Sequence, residues 1–213
     1  MTAAANLLTF FGLVVTLLLV WRRSLPGRLR LFVAHSVLLA LLAATIGWLA
    51  GRPGLVGVGA VFLLVKAWAI PRVLWRIAAG APVRPVAPGK SSGLALLAAG
   101  ALVVAAYAIM LPVNAATELP TEGAIPLAFA MALIGLFLCV TGRDAFGHIL
   151  GFLVLENGIF GFAILATYGL PGIVEAGVFL DVLVIVLIME AVVVRVRQEH
   201  DSIEEERLRE LRG

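Results

Sequence analysis

Four charged side chains stand inside apolar stretches where a bilayer penalises charge. Glu156 lies in GHILGFLVLENGIFGFAILAT, Glu175 and Asp181 in IVEAGVFLDVLVIVLIME, and Lys66 in VFLLVKAWAIPRVLW. A charge at mid-membrane is costly, so an intramembrane acid or lysine is a functional-site hypothesis by default. Carboxylates and amines hold or release a proton at modest cost once their neighbours bring them toward the working pH. The chemistry these four suggest is proton movement. The competing assignment for each acid is a hydrogen-bond site between helices.

Depth follows from counting along the chain. Tyr168-Gly169-Leu170-Pro171-Gly172 joins the last two apolar runs. Glu156 lies thirteen residues before Gly169 and Asp181 twelve after it. Both therefore sit roughly 18–20 Å from the tip of the hairpin, near the middle of a core about 30 Å thick. Glu175 is six residues past the tip, roughly 9 Å deep. The six residues between Glu175 and Asp181 turn the helix by about 600°, so these two face different directions. His148 and Glu190 are each twenty-one residues from the tip and form a second matched pair near the opposite interface, where anchoring or a secondary relay role is expected. Lys66, twelve residues in from Gly54, is again near mid-depth. Pro71 comes five residues later and removes a backbone hydrogen bond, which frees a carbonyl near Ala67. His35, about one turn into its span, is read as a satisfied interfacial histidine ahead of a relay member. The glycine pairs Gly57/Gly59 and Gly151/Gly158 are read as packing features.

The elements that must position these groups are membrane spans. The chain has 213 residues, of which 62% are hydrophobic and 14% charged, and its mean hydropathy is +1.09. That composition belongs to an integral membrane protein. The single cysteine, Cys139, excludes an intrachain disulfide and a thiolate metal cluster. There is no phosphate-binding loop, no nucleophile arrangement and no haem ligand pair. No cofactor is expected in this chain, and the basic pI of about 9.6 reflects loop arginines rather than a nucleic-acid partner.

Seven spans are expected in an all-α, polytopic fold: about Ala3 to Val20, Leu31 to Ala50, Gly54 to Trp75, Gly93 to Leu111, Ala124 to Val140, Phe146 to Tyr168, and Ile173 to Val194. The first is read as a retained span, because its basic residues Arg22 and Arg23 come after the apolar run. Of sixteen Lys and Arg, fourteen fall in alternate loops and the C-terminal tail; Arg52 alone lies on the other side, and Lys66 is intramembrane. That asymmetry places the N-terminus outside and the C-terminus in the cytoplasm. The tail from 195 to 213 is expected to form a short charged helix, with Ser202 and Glu205 as a capping box and Glu205 and Arg209 paired one turn apart. The organisation expected is a four-helix bundle over 1–112, a three-helix bundle over 113–194, and the tail.

At these residues the chain resembles the membrane protein known as component E of hydrogenase-4-type complexes, which are relatives of respiratory complex I. The motifs are the third-span Lys66 followed by Ile70-Pro71, the run Gly151-Phe152 to Glu156-Asn157-Gly158, and Val174-Glu175-Ala176-Gly177 followed by Asp181. The resemblance covers most of the chain. It implies that the last three helices are similar to the three-helix K subunit of complex I, which carries acids in its second and third helices. The register differs: a gapless alignment on Arg143, Gly151 and Asn157 puts Leu153 at the K-subunit glutamate and Glu156 one turn later. Glu156 thus matches by helix face, and either Glu175 or Asp181 is the seventh-span counterpart, matched depth favouring Asp181.

The resemblance further implies a subunit without a redox site of its own in a multi-pass prokaryotic cell membrane complex. Its partners would be large antiporter-like subunits, a membrane anchor subunit and a hydrogenase-type redox module that holds the NiFe centre and the iron–sulfur clusters. Glu156, Asp181, Lys66 and Glu175 would contribute to a lateral proton-relay axis. Three rivals remain: a structural spacer, a subunit of a multisubunit cation/proton antiporter, and a stand-alone carrier. The last predicts an internal repeat or unwound helices, and no convincing repeat is present.

Overall fold

A computed structural model of the chain describes residues 2–79, 92–116, 121, 123–142 and 144–167. Glu175, Asp181, Glu190, the seventh span and the tail helix lie outside the described residues. The described part is all-helical and belongs to one compact unit. Its elements are α1 (Thr2–Trp21), α2 (Leu25–Leu49), α3 (Pro53–Phe62), a π-helical segment (Leu63–Ala69), α4 (Ile70–Ala79), α5 (Ser92–Ala116), α6 (Ile125–Thr141) and α7 (Ala145–Thr167). The stretch from α3 through α4 is one continuous helix. Among the described residues five helices are long and apolar enough to span a bilayer, and α6, at 17 residues, is a shorter apolar helix near the lower limit of spanning length.

The outside of this unit is greasy. Trp48 is 81% exposed and Leu97 and Val140 are each 73% exposed. In water such a surface would aggregate; against lipid tails it costs nothing. α7 is the most buried span and α5 the least. α1 and α2 pack on each other, α1 also on α5 and α6, and α2 on α7 and on the α3–π–α4 helix. Helices from both halves of the sequence therefore share one core.

Two details of the chain depart from the expected spans, each for a local reason. The second helix starts at Leu25, not Leu31. Ser24 is extended (φ −73°, ψ 128°), and Pro26 occupies the first turn, where its missing N–H costs nothing. The helix ends in a Schellman turn: Arg52 N–H bonds the Gly47 carbonyl at 2.8 Å and Gly51 N–H the Trp48 carbonyl at 3.3 Å. Gly51 supplies the left-handed residue (φ +64°) this turn requires. Pro53 then opens α3.

The second departure is at Lys66. Pro71 does not simply leave a gap in an α-helix. The turns before it widen to π register, and Ile70 N–H bonds the Val65 carbonyl five residues back. Such segments are rare, and a single π turn carries one extra residue, so it rotates the remainder of the span by about 100° relative to a regular helix.

α6 and α7 meet backbone to backbone. A Cβ on Gly151 would overlap the Cys139 backbone, one on Gly135 the Leu155 backbone, and one on Gly158 the Ala132 backbone. The three contacts keep one antiparallel register, each step up α7 matched by an equal step down α6. With no hydrophobic drive between helices in lipid, this close approach is what holds the pair. Gly59 similarly lies against α2, where an added Cβ would come within 2.7 Å of the Ala40 carbonyl oxygen. Gly57, expected to pack with it, faces open space; two residues of helix turn it by about 200° to the other side. Gly158→Ala is therefore expected to cost about 1–3 kcal/mol by overpacking. Gly57→Ala is expected to be neutral or slightly stabilising. Thermal unfolding of the purified variants in mild detergent checks the contrast.

Candidate functional site

The π segment, α7 and α2 bring three of the sequence-predicted residues into one buried cluster. Lys66 is fully buried and Glu156 is 3% exposed. Lys66 Nζ lies 3.2 Å from Glu156 Oε2 and donates a hydrogen bond to Asn157 Oδ1 at 3.1 Å. It also lies 5.0 Å from the ring centroid of Phe62 and 4.6 Å from that of Phe160. The two rings meet edge-on with centroids 5.0 Å apart. The ammonium group is thus held by a carboxylate, an amide oxygen and two aromatic faces, each favouring a cation.

His35 belongs to the same cluster, which corrects its placement at the interface. With α2 beginning at Leu25, His35 lies ten residues inside the helix and is 2% exposed. Its Nδ1 accepts a hydrogen bond from Asn157 Nδ2 at 3.1 Å, and its Nε2 lies 3.3 Å from Met131 Sδ on α6. Asn157 Nδ2 also donates to Ser36 Oγ at 3.1 Å. The result is a chain of contacts from Glu156 through Lys66 and Asn157 to His35. Its members lie near the middle of their helices: Glu156 is eleven residues from either end of α7. A small cavity walled by Thr9, His35, Met131 and Asn157 adjoins the histidine end.

His148 is not part of this cluster. It is exposed in the first turn of α7, and its Nδ1 donates to the Asp144 carbonyl at 2.8 Å. Glu175, Asp181 and Glu190 lie outside the described residues. Asn157 and Ser36 were not singled out as site residues from sequence, although an asparagine flanked by a glutamate within an apolar run is itself a signal. Among the described residues no group of three or more His, Cys, Asp or Glu side chains gathers where a metal ion could be held.

The arrangement suits proton handling. At 3.2 Å a proton can pass between Nζ and Oε2, converting an ion pair to a neutral amine and acid without changing the net buried charge. One further proton, added or removed, leaves the site charged, and every dipole nearby must respond.

An uncharacterized protein of Mycobacterium tuberculosis, Rv0085, is 36% identical to this chain over 204 residues, covering 94% of this chain and 93% of the relative. This chain belongs to that protein's family. Hydrogenase-4 component E of Escherichia coli K12 is 24% identical over 186 residues, 85% of each chain, and the Shigella flexneri protein of the same name matches equally. This distant homology supports the kind of family the motifs pointed to. No family profile matches the chain, and no solved structure matches it significantly. The chain is thus a multi-pass membrane protein distantly related to a hydrogenase-4 component.

Removing one partner of the pair strands a buried charge. Lys66→Met alone is expected to lower stability by about 3–5 kcal/mol, whereas the Lys66→Met/Glu156→Gln double variant recovers most of the loss. A double-mutant cycle on unfolding in detergent measures this coupling.

Proposed function

We propose that this chain is a membrane subunit, without a redox site of its own, of a complex I-like, hydrogenase-4-type ion-translocating complex, and that Glu156 and Lys66 are stations of its proton relay. The observation that carries the proposal is the buried Lys66–Glu156 contact, halfway along α7, in a chain distantly homologous to hydrogenase-4 component E. A buried ion pair is weak evidence for stability, because well-packed apolar residues often do as well. Its presence at this depth is better explained by use.

In this proposal a charge change in a redox arm shifts protonation along a lateral row. The row passes through this subunit into neighbouring antiporter-like subunits. Asp181 or Glu175 of the seventh span continues it, within a three-helix part similar to the complex I K subunit. In this reading the N-terminus lies outside and the C-terminus in the cytoplasm, the orientation that the lysine and arginine asymmetry favours. The NiFe centre and iron–sulfur clusters belong to partner subunits, and the complex sits in the prokaryotic cell membrane. The structural-spacer alternative draws on the same cluster, since Asn157 and Ser36 neither gain nor lose a proton at ordinary pH and suit interhelical hydrogen bonding.

The two diverge in one experiment. The tagged chain is purified with its partners from native membrane and reconstituted in vesicles, and redox-driven acidification is followed. Glu156→Gln is expected to leave the complex assembled and to cut pumping roughly tenfold or more, because an amide cannot pass a proton. An assembled Glu156→Gln complex that pumps at the native rate supports the spacer instead.

A further inference from the structure

We infer that Asn157 is a positioning residue that ties the tautomer of His35 to the charge of Lys66. The inference deepens the proposed relay and rests on that reading for its role in turnover, but the coupling itself is a property of the isolated chain.

The argument begins with what each atom can do. A lysine ammonium donates and cannot accept. The atom of Asn157 that faces Lys66 Nζ at 3.1 Å is therefore the amide oxygen. That fixes the other end: Nδ2, with two hydrogens, faces His35 Nδ1 and Ser36 Oγ, each at 3.1 Å. Facing a donor, His35 Nδ1 must be the bare acceptor nitrogen. The imidazole is then neutral with its hydrogen on Nε2, directed at Met131 Sδ, 3.3 Å away. Three groups on three elements thus share one donor–acceptor sense, and the lysine charge sets it.

A neutral Lys66 has a lone pair and no longer dictates which end of the amide it meets. The amide can then turn about its terminal bond, which exchanges oxygen and nitrogen with little displacement. The turned amide presents oxygen to His35 and selects the Nδ1–H tautomer. Ser36 permits both states, because a hydroxyl donates or accepts as required. The imidazole Nε2, now bare, becomes an acceptor facing the cavity beside Thr9 and Met131. The arm carries no proton from Lys66 to His35, since an amide does not relay one. It carries an orientation, from the π segment through α7 to α2. The side chains that wall His35 from α1 and α6, Thr9 and Met131, are uncharged, so nothing from those two helices competes electrostatically with Lys66 through the amide.

The test reads the histidine directly. The full chain is labelled with ¹⁵N-histidine, reconstituted in lipid vesicles and studied by solid-state NMR, which distinguishes the two neutral tautomers. The chain has three histidines, and a His35→Gln sample identifies the resonances of His35. Wild type is expected to show His35 as the Nε2–H tautomer, with the minor form below about a tenth. Lys66→Gln, whose side chain can donate or accept, is expected to raise the minor form severalfold into a mixture. Lys66→Arg, which keeps a donor-only cation, is expected to restore the single tautomer. Asn157→Leu, which removes the amide and leaves Lys66 in place, is expected to release His35 into the mixture as well.

A wild-type His35 in the Nδ1–H form overturns the inference. So does a single unchanged tautomer in a folded Lys66→Gln chain or in Asn157→Leu, and the second variant keeps the inference open to refutation if the first does not fold. The readout is separate from pumping: a silent Glu156→Gln in vesicles speaks against the proposed relay, and an unresponsive His35 speaks against the amide coupling alone.

Discussion

A lysine in the middle of a lipid-facing bundle has to be compensated on every side, and the arrangement of this protein is built around that requirement. Glu156 supplies the countercharge, Asn157 the oxygen, and Phe62 and Phe160 the polarisable walls. Those groups come from different stretches of sequence. They meet only because α7 is pulled against α6 at backbone distance and α3 is pulled against α2 by Gly59. The small residues are therefore a condition for the charge site, since a looser bundle would let the carboxylate and the ammonium drift apart in a medium that cannot solvate either.

The same requirement explains why polar side chains without a charge are recruited. Around a buried ion pair each remaining donor and acceptor must find a partner, or the desolvation penalty of the pair is not offset. Asn157 meets this need in two directions at once, and His35 and Ser36 accept from it. Away from the ion pair the helices carry a different logic. There, hydroxyls such as Thr9 and Thr16 bond to carbonyls of their own helix one turn back, and the exposed faces are filled with leucine, valine and tryptophan.

Much of this was legible in the sequence. Hydropathy marks the spans, and six of them coincide with described helices, though α2 begins six residues earlier and α4 and α5 run four and five residues further than the apolar runs suggest. Lys66 and Glu156 stood out because a single charge in an apolar run is conspicuous, and counting residues put both at mid-depth. What counting could not give was azimuth, the direction each side chain faces around its helix. His35 lies further into its helix than the apolar run from Leu31 suggests, because α2 continues back through Arg28 and Arg30 to Leu25 and arginines near a helix end snorkel without breaking it. The π segment was hidden because no residue pattern marks it; Pro71 signalled a lost hydrogen bond but not how the chain would absorb it. Asn157 carries no formal charge and stands beside a residue that does, so a search for charges in apolar runs does not mark it as a site residue.

The π segment also bears on how this span changes over time. A residue gained inside a transmembrane helix ordinarily throws every later side chain onto the wrong face, which is why insertions there are rarely tolerated. Between Leu63 and Ala69 the extra residue is absorbed locally, and Ile70 resumes an ordinary α-helix with its own phase. The half before Lys66 and the half carrying Arg72 and Arg76 thus have independent angular settings. Within this family a one-residue gap in the middle of the third span is then a physical event, the gain or loss of a wide turn, and the lysine on one side of it and the arginines on the other are free to diverge separately.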